Sequence, residues 1–310
     1  MPEKSYLHMG TLCPWGKRVL LEKYYAVAFL SGLLFGISDG LVRAASRTLS
    51  PHVNLLISLL VGTPLLWLAV LIRGVESLAS SAILAYVIAG LLNFVLGRLL
   101  FYMAVAALGA ATATIVTSPV TAISALLAWP FLGEALSTLQ LIGLVLFMAA
   151  IYLASSKPSG NPFQGLHHTK GVLAGISASL VFASSTLLVR YAAYNGGDPF
   201  EGTAISYTVA IPFAAILVHR RREYGKLAGL GKEHAYMIMA AVCVALAQLS
   251  RYYSLTGLSV AKVVVLIGLF PLHTVLFVHV LGKRVEEKPT IRHLLAAILA
   301  TIAITLVNRG

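Results

Sequence analysis

Residues 107–134 read ALGAATATIVTSPVTAISALLAWPFLGE. From Ala110 to Leu132 this stretch is nearly all apolar or small, and it is too long for a strand. It predicts a helix with Pro119 inside it and Gly133-Glu134 at its end. Residues 270–286, FPLHTVLFVHVLGKRVE, repeat the arrangement. In both stretches the Glu follows the Pro by 15 residues, and both landmarks recur 152 residues on. Two further pairs keep nearly that offset. LVRAA at 41–45 is matched by LVRYAA at 188–193, which separates Arg43 from Arg190 by 147 residues. Arg98 and Arg251 stand 153 apart. Four landmarks at a near-constant offset indicate an internal repeat.

Outward from this stretch the chain is a series of apolar runs. Spans are expected at 24–45, 53–72, 83–107, 110–132 and 138–154, and again at 171–193, 203–218, 235–255, 260–281 and 291–307. A polar basic segment, 1–23, precedes the first half. The linker SSKPSGNPFQGLHHTK, 155–170, divides the halves. Of the 310 residues 58% are hydrophobic and only 11% charged, with mean hydropathy +0.87. A soluble surface needs about 25% charged residues. Lipid is therefore the expected solvent, and a bilayer core of roughly 30 Å asks for about 20 apolar residues per crossing. Backbone groups in lipid must be satisfied within the segment, so helices are required unless a barrel forms. The short alternating segments of a barrel are absent. The expected fold is an all-α integral membrane bundle of ten transmembrane helices in two five-helix halves. Five is odd, so like-folded halves must enter the membrane from opposite sides, as inverted repeats.

These motifs resemble the drug/metabolite transporter superfamily, in its ten-helix type with two EamA domains. The resemblance rests on Ala107–Ala113, Ser118-Pro119-Val120 and Trp129-Pro130-Phe131-Leu132-Gly133-Glu134. The second copy, through Leu281-Gly282-Lys283-Arg284-Val285-Glu286, is degraded. The resemblance implies export or exchange of a small metabolite such as an amino acid, a phosphorylated sugar or a nucleotide sugar. It also implies termini in the cytoplasm of a multi-pass cell-membrane protein. The basic amino terminus agrees, whereas Arg220, Arg221, Arg222, Lys226 and Lys232 would then lie outside, so the positive-inside signals conflict between the halves.

The net charge of +12 fits a chain whose basic residues sit between apolar runs, against anionic lipid, and nucleic acid is not an expected partner. Cys13 and Cys243 form no metal-ligand pair. There is no HExxH, GxSxG or GxxxxGK[ST] motif, so neither an intramembrane enzyme nor nucleotide-driven pumping is favoured. An enzyme and a structural or receptor-like membrane protein are the alternatives to a transporter. The expected partners are a small-molecule substrate and the bilayer, with no cofactor. The oligomeric state is open, a monomer included.

Charged groups within spans are costly and mark function by default. Arg98 and Arg251, with Tyr102 and Tyr252 beside them, form the expected substrate site together with Asn93, Gln248 and His273. A guanidinium there suits a carboxylate or phosphate; the alternative is a side chain snorkelling to the interface. Asp39 and Arg43, four apart on the first helix, can pair on one face, and with Arg190 they are candidates for coupling or gating. The position 147 residues beyond Asp39 is Thr186, so the halves share no acid pair. Pro119 and Pro271 are expected kinks, which either frame a cavity or are absorbed by neighbouring helices. Glu134 is expected at the interface, capping the helix that begins at Ser137-Thr138.

Overall fold

In the computed structural model the described residues are 14–155, 166–227, 229, 231–280 and 291–309. They form helices with no strand among them: α1 (Pro14–Ala45), α2 (Pro51–Arg73), α3 (Ser80–Gly90), a π-helix (Leu91–Gly97), α4 (Arg98–Leu108), α5 (Ala110–Thr117), α6 (Val120–Leu132) and α7 (Thr138–Ser155). The second half gives α8 (Leu166–Tyr194), α9 (Pro199–Arg220), α10 (Lys232–Gly257), α11 (Val260–Ile267), α12 (Phe270–Val280) and α13 (Ile291–Arg309). Most of the linker, and Glu286, lie outside the described residues.

Six helices are long and apolar enough to cross a membrane: Leu21–Ala45, Pro51–Arg73, Ser80–Leu108, Thr169–Tyr194, Pro199–Arg220 and Lys232–Gly257. Each buries about half of its apolar window in the bundle. The outer faces stay apolar, with Leu71, Ile72, Trp129, Phe131 and Val145 exposed, as contact with lipid requires. Helices α5, α6, α11 and α12 are shorter, because both runs expected as fourth and ninth spans are interrupted. The first breaks between Thr117 and Val120, the second between Ile267 and Phe270. Gly109, at φ 87°, ends α4 and turns the chain directly into α5. Few residues with a side chain tolerate that conformation, which explains a turn with no polar loop around it.

The packing exchanges the halves. Helix α1 packs on α10, and its counterpart α8 packs on α3 and α4. Helix α2 pairs with α9, α6 with α11, and α7 with α13. Each contact maps onto itself or onto another when the halves are swapped. Hydrogen bonds follow the same rule. Ser38 donates to Ala240 O at 3.2 Å, and Ser185, 147 residues on, donates to Ala89 O at 3.1 Å. Both join small residues where backbones approach closely, which is how helices associate without a hydrophobic drive from lipid.

Gly90 is one such approach: a Cβ there would lie 2.5 Å from Ser206 O and 2.6 Å from its Cα. Backbone cannot yield as a side-chain tip can, so Gly90→Ala should cost about 2 kcal/mol by forcing α3 from α9. Thermal unfolding in detergent measures this, with Gly225→Ala as a control, since nothing lies within 4 Å of its Cβ position. Equal melting of the two variants would show that the approach is not tight.

Candidate functional site

A central cavity lies between the halves, with about 640 Å³ of empty space counted out through its open mouth. The first half lines it with Phe35, Asp39, Asn93, Arg98, Phe101, Thr117, Val120 and Thr121. The second contributes Phe182, Thr186, Gln248, Arg251, Val264, Ile267, Gly268 and Phe270. Both helix breaks lie on its wall. Helix α5 ends at Thr117 and α6 starts after Pro119; α11 ends at Ile267 and α12 starts with Phe270-Pro271. A broken helix leaves end groups unpaired by its own ladder, and such groups are found at membrane depth where they face protein or a cavity.

Arg98 and Arg251 are nearly buried, with 4% and 7% exposure. Arg98 lies over the rings of Phe35 and Tyr102, at 5.7 and 5.8 Å. Its register follows the π-helix, whose wide turn carries the Arg98 N–H back to Asn93 O. Arg251 lies over Tyr252 at 5.3 Å and donates from Nη1 to Thr186 Oγ1 at 3.1 Å. Asn93 Nδ2 reaches Gln248 Oε1 at 3.4 Å, joining the halves at mid-depth. Asp39, 2% exposed, shares the wall with Arg98, the opposite charge that acts on it.

The structure thus brings Arg98, Arg251, Asn93, Gln248 and Asp39 to one cavity. Tyr102 and Tyr252 stand behind the two arginines, and Tyr252 is fixed by its hydroxyl donating to Ser206 Oγ at 3.1 Å. His273 is not on the wall; it meets Phe29 edge-on at 5.4 Å and closes on Gly36 of α1. Arg43 does not pair with Asp39. It turns to Val105 O and Ala106 O, at 3.3 and 3.4 Å, in the last turn of α4 where the break at Gly109 ends the helical ladder. The two threonines at the α5–α6 break and the phenyl groups of the wall carried no signal in the sequence beyond ordinary core composition.

One turn beyond Thr186, about 6 Å along α8, Arg190 joins a latch. Its Nε donates to Glu134 Oε1 at 2.7 Å, its Nη2 to Tyr194 OH at 2.9 Å, and its Nη1 to Leu255 O. Tyr194 OH also donates to Glu134 Oε1, and Glu134 Oε2 accepts from Val260 N, both at 2.7 Å. Glu134 therefore caps α11 of the other half and not the next helix. That cap is made by Ser137 and Gln140, each accepting the other's backbone N–H, at 3.2 and 3.0 Å. The turn that presents Glu134 depends on Gly133 in the left-handed region, φ 70°. On the same end Arg73 pairs with Asp198 and Glu76, and Glu76 N donates to Glu201.

At the opposite end Arg43 donates to the two carbonyls of α4, and Ser50 donates to Glu223 Oε2 at 2.5 Å. Burial pushes the Glu223 carboxyl up, but hydrogen bonds from Ser50 and Lys226, with the charges of Lys226 and His52, outweigh it and hold it below its ordinary range.

A family model described as the EamA-like transporter family matches the chain twice, at residues 22–156 and 169–309. No curated protein matches it in sequence. A solved crystal structure superposes with a TM-score of 0.74, at 16% identity, over 92% of this chain and 96% of the other. At that identity the likeness shows the fold alone.

Proposed function

Since the chain belongs to the EamA-like transporter family, we propose that it carries a small polar metabolite such as an amino acid across the membrane by alternating access, as an exporter or exchanger. Ten crossings follow if α5 with α6, and α11 with α12, each count as one interrupted span. The repeats are then 24–154 and 171–307, inverted about the cavity. Substrate contacts fall to Arg98, Arg251, Asn93 and Gln248, with Tyr102 and Tyr252 behind them, while Asp39, Arg43 and Arg190 serve coupling or gating.

One observation carries this reading. The cavity draws its wall from matching helices of both halves, with a helix break from each. An enzyme has no need of such symmetry. A transporter uses it to make two interchangeable states, open to opposite sides. The Glu134–Arg190 latch is a contact that one of those states would release.

The test is counterflow in proteoliposomes loaded with single amino acids or sugar phosphates. Accumulation of labelled cargo against its own unlabelled pool is the expected result. The second arm places a cysteine at Thr186 and labels it from each side. Labelling from one side under every condition, with no accumulation of any cargo, would rule the reading out.

A further inference from the structure

The two halves treat their buried arginines differently. Arg98 shares its wall with Asp39. At the matching place in the second half stands Thr186, whose hydroxyl accepts a bond from Arg251 but carries no charge. Nε and Nη2 of Arg251 find no hydrogen-bond acceptor among the described residues. Arg98 adds repulsion, since its charge acts directly on Arg251. An ionised group shut from water with open donors is costly, so the site asks for an anion. Nε and Nη2 form the side edge of the guanidinium, two parallel donors that match the two oxygens of a carboxylate. Around them the wall is largely hydrocarbon, with Phe35, Phe101, Phe182 and Phe270.

We propose that the cavity takes a molecule with one carboxylate head, seated on the Nε–Nη2 edge of Arg251, and an apolar body against the phenyl groups. This rests on the transporter reading and names its cargo class. A single anion is specified because Asp39 already stands on the same wall as Arg98 and acts on it. A sugar phosphate fits poorly, with a second negative charge and a polar body to place against phenyl rings.

The decisive variant is Thr186→Asp, which gives Arg251 the acid that Arg98 has. Binding to the purified full-length protein is measured with phenylacetate, hexanoate, L-leucine and the neutral phenylacetamide. Phenylacetate should bind at least tenfold more tightly than its amide. Thr186→Asp should weaken phenylacetate at least tenfold with melting unchanged or raised, whereas Thr186→Asn, a neutral acceptor, should weaken it far less. Arg251→Gln gives the same loss if Thr186→Asp does not fold. Amide and acid binding alike, no carboxylate binding at all, chloride displacing phenylacetate with equal strength, or Thr186→Asp binding as the unaltered protein does would each overturn the proposal. Carboxylate binding without counterflow of any cargo would leave the site standing and remove the transporter reading. Counterflow of neutral or cationic cargo alone would do the reverse.

Discussion

Glu134→Ala is expected to lose about 3–5 kcal/mol of stability, because it leaves Arg190 charged and buried with no counter-charge in the latch. The guanidinium is 6% exposed and its partner carboxylate 11%, so water gives little relief. Two other groups lose an acceptor at once: the Tyr194 hydroxyl and the Val260 N–H at the start of α11. Glu134→Gln keeps an acceptor of the same size and should lose less than half as much. The loss should appear as a lower melting temperature in detergent. It should also appear as faster labelling of a cysteine at Thr186 from the Tyr24 end, since the latch lies between that residue and the exit. Melting like the unaltered protein, with no change in labelling, would mean that the latch holds nothing.

That latch was only half legible in the sequence. Glu134 after Gly133 marks a helix end, and composition alone points to the nearest helix start, at Ser137. The partner lies 56 residues on, in the other half, and no local spacing reports it. The apolar runs, by contrast, placed most helix ends to within about five residues, because run length follows from bilayer thickness, although α1 begins at Pro14 and not at Tyr24. The repeat was readable because it rests on offsets, which survive divergence. Those offsets placed Arg98 and Arg251 in corresponding helices, and the structure sets both on one cavity. The π-helix at Leu91–Gly97 had no signature, since hydrophobic periodicity over seven residues does not separate a wide turn from an ordinary one. Asp39 and Arg43 misled for a different reason. Their i,i+4 spacing permits a pair, but the carbonyls in the last turn of α4 offer Arg43 neutral acceptors and leave Asp39 to the cavity.

Corresponding arginines of the two halves stand at opposite ends of the bundle. Arg43 and Arg190 are counterparts, and each donates to carbonyls at the end of a helix, Val105 and Ala106 for one and Leu255 for the other. Glu134 adds charge-assisted bonds at the Tyr24 end, which are roughly twice as strong as neutral ones. A state sealed at one end must trade those bonds for others when it opens, and the balance sets the populations.

Inside the cavity the same accounting separates Asp39 and Arg98 from Arg251. Asp39→Asn and Arg98→Gln should each lose about 3 kcal/mol, because each strands a buried charge. Asp39→Asn is the more damaging, since it leaves two guanidiniums acting on each other with no acid on the wall. The double variant should lose less than the sum of the two, by about 1–3 kcal/mol, the coupling that neighbouring charges show. It removes one positive and one negative charge together and leaves Arg251 as before, so phenylacetate binding should weaken less in it than in Arg251→Gln. Thermal unfolding of the four proteins gives the cycle, and titration of the double variant gives the affinity. Strictly additive losses would mean that Asp39 does not compensate Arg98, and the case for a single open anion site at Arg251 would lose its internal standard.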